Sequence, residues 1–149
     1  MSTEPRPRRE FDAENLTLKL DVTIPADLKL LGGFIGRVMT VVRSMDCAAG
    51  SEFEIELALN EALANAIKHG CKGDPTKSVR VTLECDPEHG MLLIVRDPGE
   101  GFVPEELPNP LVGERLFESH GRGIYLINQL MDEVRIEGGG TEIWMRKKY

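Results

Sequence analysis

The sequence is poor in the features that mark a cross-linked, membrane-spanning or nucleic-acid-binding protein. It has three cysteines, Cys47, Cys71 and Cys85, an odd number without CxxC spacing, which points to a reducing compartment and not to a disulfide scaffold. Cys71 stands two residues after His69, but no second His/Cys pair completes a zinc set. No apolar run reaches the ~18 residues a membrane-spanning helix requires. The balance of 18 Lys and Arg against 25 Asp and Glu leaves a net charge of -7, so the broad basic surface that drives counterion release from DNA or RNA is missing. One local exception is the stretch from Met1 to Glu10, with Arg6, Arg8, Arg9 and two prolines. It lacks the apolar segment of a signal peptide and reads as a disordered arm, residues 1–10, with docking to an acidic partner as the minor alternative. The expectation is a cytoplasmic protein whose remaining residues, 11–149, form one domain without internal repeats.

Hydrophobic residues make up 41% of the chain, and their spacing sets the order of elements. Leu16, Leu18, Leu20, Val22 and Ile24 alternate with polar residues, the period of a half-buried strand. Pro25 closes it, and Asp27 is placed to cap a helix from about Leu28 to Met45. Gly32, Gly33 and Gly36 weaken that helix and suggest close packing against a neighbour. Ser51 with Glu54 has the capping-box arrangement at the head of a second helix, and Gly70 is placed to end it in a left-handed turn. Two strands, Ser78 to Cys85 and Met91 to Val95, are joined by a turn-rich connection. From Pro98 to His120 no period is visible, which suggests a functional loop or lid. A third helix is predicted after Gly123, and two last strands, Glu133 to Glu137 and Thr141 to Arg146, flank Gly138-Gly139-Gly140. The predicted fold class is an α/β (α+β) two-layer sandwich: a mostly antiparallel five-stranded sheet with three helices on one face.

Within the second helix, Glu61, Asn65 and His69 recur every four residues, which stacks them on one stripe. Alone, that stripe is weak evidence for a site, because a polar stripe on an amphipathic helix is most often a solvated face. Asn is nevertheless a mediocre helix former, and the surrounding alanines leave room for a ligand or a second element. Asp97-Pro98-Gly99-Glu100-Gly101 follows a strand. It reads either as a plain exit turn or as a place where an acceptor-only carboxylate meets a purine amino group and glycines admit close approach. Gly121-Arg122-Gly123 is a weak signal for free N–H groups facing a phosphate at a helix start.

The order of these segments resembles the Bergerat-fold ATPases, the histidine kinase-like superfamily that includes gyrase, sensor histidine kinases and MutL. Glu61 to Gly70 resembles their asparagine box, Asp97 to Phe102 the first glycine box, Gly121 to Ile124 the second, and Gly140-Thr141 the Gly-Thr pair of the last hairpin. Small size and the asparagine context are most similar to the anti-sigma-factor serine/threonine kinases. The resemblance covers roughly Leu16 to Lys147.

That resemblance implies a role for each position. Asn65 would give its side-chain oxygen to Mg²⁺, and Glu61 would act as general base on the attacking hydroxyl. Asp97 would recognise the adenine of ATP with help from Thr141. Gly99, Gly101, Gly121 and Gly123 would shape the nucleotide pocket and its lid, and Arg122 or Arg115 would meet phosphate. The basic residue expected just before the second glycine box is absent, because Ser119 and His120 stand there. His69 is expected to be scaffold. The implied function is ATP-dependent phosphorylation of a STAS-type antagonist by a protein that alternately holds a sigma-type factor, and that forms a homodimer through its first strand and first helix. Two alternatives remain open: an ATP-binding sequestration module without kinase activity, and the catalytic part of a split sensor histidine kinase.

Overall fold

A computed structural model describes residues 18–48, 50–86, 88–99 and 119–148. Its elements run β1 (Leu18–Pro25), α1 (Leu28–Ser44), α2 (Glu52–Asn65) continued by a π-helical turn (Ala66–Gly70), β2 (Ser78–Asp86), β3 (Gly90–Arg96), α3 (Ser119–Leu130), β4 (Glu133–Glu137) and β5 (Glu142–Lys147). The strands form one antiparallel sheet in the order β1-β2-β3-β5-β4. Register puts alternate residues on one face: Leu20 opposite Leu83, Leu83 opposite Leu93, and Leu93 opposite Met145. Those inward residues merge with Leu31, Phe34, Val38 and Met39 of α1, Ile55, Leu59 and Leu63 of α2, and Ile124 and Ile127 of α3 into one core. The expected α+β sandwich, with five strands and three helices, is therefore what forms. On the opposite face Leu92, Ile94 and Trp144 make a small separate cluster. There Arg80 donates from Nε and Nη2 to the two carboxylate oxygens of Asp21, at 2.9 and 2.6 Å, and Arg96 lies 5.8 Å from the centre of the Trp144 ring. Among the described residues no helix is long and apolar enough to cross a membrane.

Local sequence explains some boundaries and misplaces others. Asp27 caps α1 as expected: its backbone is extended and its carboxylate accepts the Lys29 N–H at 2.9 Å. Ser51 does not complete a capping box. Its ψ of 11° departs from the extended backbone of a capping residue, and its side chain makes no capping bond. Gly70 does not take the left-handed position either. Lys72 (φ 54°) and Gly73 (φ 72°) do, because the π-helical turn carries the helix past its expected end. Gly32 and Gly36 have nothing within 4 Å of where a β-carbon would sit, so no element described in this chain packs closely on them. The third helix begins at Ser119, five residues before the expected start at Ile124.

The middle of α2 anchors the site to the core. Leu59 is fully buried there, and Leu59→Ala is expected to cost about 2–5 kcal/mol through lost burial and the cavity left behind. Urea unfolding measures this; a change under about 1 kcal/mol, with an unaltered denaturant slope, would mean the core around α2 collapses into the space freely.

Candidate functional site

Glu61 and Asn65 share a face of α2, one turn apart, where the helix turns from the core toward α3. Glu61 is half-buried, whereas Asn65 is only 6% exposed. The amide nitrogen of Asn65 has no hydrogen-bond partner, a state that costs about 1–3 kcal/mol for a buried polar group. Directly over it stands Gly123 of α3. A β-carbon at 123 would lie 2.5 Å from Asn65 Nδ2 and 3.2 Å from Oδ1. Helix α3 can approach this amide because residue 123 has no side chain.

After Asn65 the helix widens. The Cys71 N–H donates to Ala66 O at 2.8 Å, five residues back, and the Gly73 N–H reaches Ile67 O at 2.9 Å. Single π-helical turns of this kind are rare and concentrate at functional sites. This one leaves His69 exposed, with an imidazole pKa held below the ordinary value chiefly by partial desolvation and then by Lys68. It also brings the Gly70 backbone against the carboxyl group of Asp97.

Asp97 is held at both its backbone and its side chain. Its N–H donates to Thr141 O at 2.9 Å, which ties the end of β3 to the start of β5. Its Oδ1 accepts the Gly99 N–H at 2.8 Å. Burial pushes this carboxyl above the ordinary aspartate value, and the Gly99 bond offsets part of that shift. Thr141 donates its hydroxyl to Gly138 O at 2.8 Å, so its oxygen lone pairs remain available as acceptors. The turn holding it contains three glycines at positive φ, Gly138 (61°), Gly139 (68°) and Gly140 (100°), which glycine adopts without the steric cost of a β-carbon.

The contacts fall into two sets, five residues apart along the same helix: Asn65 with Gly123, and Gly70 with Asp97, Gly99 and Thr141. Glu61 lies one turn up the same helical stripe. Gly101, with Arg115 and the expected lid, falls outside the described residues, as does the Arg122 side chain. Gly121, Arg122 and Gly123 lie inside α3 and not ahead of it. The fourth residue of a helix already bonds back to the cap, as the Ile55 N–H does to Ser51 O, so the helical residues with unsatisfied N–H groups are the first three, here 119–121. Gly121 therefore falls among the first-turn donors, while Arg122 is the fourth residue and Gly123 the fifth, whose contribution is space for Asn65. Gly70 is the residue that sequence reasoning missed. Its only signal was its place at the end of the helix, where an ordinary cap explained it equally well.

Known proteins resemble the chain over most of its length. Residues 24–147 match the family model described as histidine kinase-like ATPase domain. The chain is 34% identical over 119 residues to the anti-sigma F factor of Geobacillus stearothermophilus, a stretch covering 75% of this chain and 80% of that protein. It is 32% identical over 116 residues to the anti-sigma F factor of Geobacillus thermodenitrificans, covering 74% and 78%. It is likewise 32% identical over 102 residues to the serine-protein kinase RsbW of Bacillus licheniformis, covering 63% of this chain and 62% of that protein.

Proposed function

This chain belongs to the histidine kinase-like ATPase family, and from that premise we propose that it is an anti-sigma factor and ATP-dependent protein serine/threonine kinase of a partner-switching pathway. The observation that carries the reading is the buried, unpartnered amide of Asn65 under Gly123, five residues along the helix from the Gly70 backbone that packs on Asp97. Relatives named as anti-sigma F factors and as a serine-protein kinase support the two halves of the description.

The residues present suit ATP and Mg²⁺. The Asn65 amide offers an oxygen of the kind a hard cation takes and an NH₂ that a phosphate oxygen can accept from. A Mg²⁺ held by phosphates and one or two protein oxygens would neutralise charge on the transferred group. Asp97 accepts the adenine amino group, and Thr141 lies beside it through the shared backbone bond. Gly99, Gly101, Gly121 and Gly123 leave room for the nucleotide, Gly121 presents a backbone donor to phosphate, and Arg122 offers it a guanidinium. Glu61 takes the proton of the partner's hydroxyl as that oxygen bonds to the terminal phosphorus and ADP leaves. The protein partners are a sigma-type factor and a STAS-domain antagonist. A second copy pairs along the β1 edge and the open glycine face of α1, where Leu28 and Leu30 are 46% and 49% exposed. The family match over residues 24–147 supports reading 11–149 as one domain.

Asn65→Ala provides the test. It removes an unsatisfied buried amide, so the melting temperature should stay within a few degrees of the unaltered chain, while Mg²⁺-dependent ADP binding by calorimetry should be lost. Retained Mg²⁺-dependent binding in this variant, or no ADP binding by the unaltered chain at millimolar nucleotide, would sink the reading.

A further inference from the structure

Gly70 carries no chemistry, yet it occupies the tightest place in the site. A β-carbon built on it would overlap Cγ and both oxygens of Asp97. A β-carbon on Gly99 would in turn meet Gly70 O, with Gly70 Cα at 2.9 Å and Asp97 Oδ1 at 2.8 Å. The Asp97 carboxylate is therefore clasped between two backbone segments that both lack side chains. Gly70 is not among the glycines with positive φ, so its conformation makes no demand for glycine; the demand is for space. The π-helical turn creates that demand by advancing Gly70 onto the end of β3.

We infer that Gly70 is a positioning residue for base recognition: its missing side chain sets where the Asp97 carboxylate stands, and so selects a purine with an exocyclic amino group over one with a carbonyl at that place. The inference rests on the reading of this corner as a nucleotide pocket. An ionised carboxylate only accepts hydrogen bonds, so it attracts the adenine amino group and repels the guanine carbonyl oxygen. Its discrimination depends on standing within about 3 Å of that atom. With its backbone N–H bonded to Thr141 and Oδ1 to Gly99, the carboxylate has one seat, and a methyl group at residue 70 takes it.

The experiment measures ADP and GDP affinity by calorimetry, with Mg²⁺, for the full chain and for Gly70→Ala and Asp97→Ala. Gly70→Ala is expected to weaken ADP about 10- to 100-fold, the worth of a hydrogen bond to a charged group, and to leave GDP nearly unchanged, so that the preference for ADP collapses as it does in Asp97→Ala. A general structural lesion would weaken both nucleotides together and would overturn the proposal. So would unaltered ADP affinity and preference in Gly70→Ala alongside their loss in Asp97→Ala, an outcome that leaves the nucleotide reading standing. Unchanged ADP affinity in Asp97→Ala removes Asp97 from base recognition and overturns this proposal, whereas no ADP binding by the unaltered chain defeats the nucleotide reading itself. Where Gly70→Ala fails to fold, the Gly70→Ala/Asp97→Ala pair decides. Removing the carboxylate frees the space for the new methyl, so the double variant should melt close to Asp97→Ala alone; a double variant as damaged as Gly70→Ala overturns the steric assignment.

Discussion

Glu61→Gln is expected to slow phosphate transfer to a serine or threonine of the antagonist by about 100- to 10,000-fold, the range for losing a positioned general base, while ADP affinity stays within about twofold. Glutamine keeps the length and the hydrogen-bonding shape of the side chain but cannot take a proton at neutral pH. Glu61 lies one helical turn from Asn65 on the same stripe, so a base there would stand beside the terminal phosphate without holding the nucleotide. The two readouts should therefore separate. Single-turnover transfer from labelled ATP measures the first and calorimetry with ADP the second. Transfer at the original rate removes Glu61 as the base. A chain that binds ATP and a sigma-type factor but transfers nothing, even with Glu61 intact, would be a sequestration module.

The sheet was the most legible part of the fold because its inward residues obey a period of two. Leu18, Leu20, Val22 and Ile24 of β1 pair with Cys85, Leu83, Val81 and Val79 of β2, and a one-residue slip would turn all of them outward. For that reason β4 was legible to both of its ends, and the other described strand ends differed by at most one residue, with the expected start of β1 at Leu16 outside the described residues. Helix ends were less legible. They depend on which amides are satisfied, and Ser51 and Gly70 each showed that a favourable residue type does not fix the geometry. The π-helical turn had no sequence signal at all, since Ala66-Ile67-Lys68-His69-Gly70 would continue an ordinary helix equally well.

The site was legible as an order of motifs but not as contacts. Asn65 and Asp97 are 32 positions apart and read singly as a helical polar residue and a turn aspartate. What joins them is the antiparallel sheet, which delivers the end of β3 beside the end of α2 and the start of β5. The roles of the glycines show the limit most clearly. Gly99 and Gly123 suggested backbone freedom and phosphate approach, whereas the contacts show a demand for space, against Gly70 in one case and Asn65 in the other. Such a demand is created by the partner element, and a residue's own neighbours in sequence do not reveal it.

Asp97→Asn tests the other half of the site, through affinity and its dependence on pH together. Losing a charge-assisted bond to the adenine amino group should weaken ADP about 10- to 100-fold at pH 7. In the unaltered chain, burial raises the Asp97 carboxyl above its ordinary value of 3.8. The sign follows from linkage: as pH rises, the unfolded chain releases this proton first, so the stability contributed by the protonated group is full below 3.8 and is lost as pH rises through the higher folded value. At neutral pH the ionised carboxylate is thus a burden on the fold that a donor on the ligand relieves. ADP should lower the Asp97 pKa on binding, and its affinity should fall as pH drops through the raised value, at higher pH than an ordinary aspartate would give. The carboxamide that Asp97→Asn introduces has no such titration. The variant should therefore show no affinity limb in that window and a melting temperature at pH 7 no lower than that of the unaltered chain, since it keeps an acceptor for the Gly99 N–H and removes the buried charge. A variant that binds ADP as well as the unaltered chain would remove Asp97 from base recognition. A variant that loses binding and melts well below the unaltered chain would show instead that the carboxylate holds the corner together.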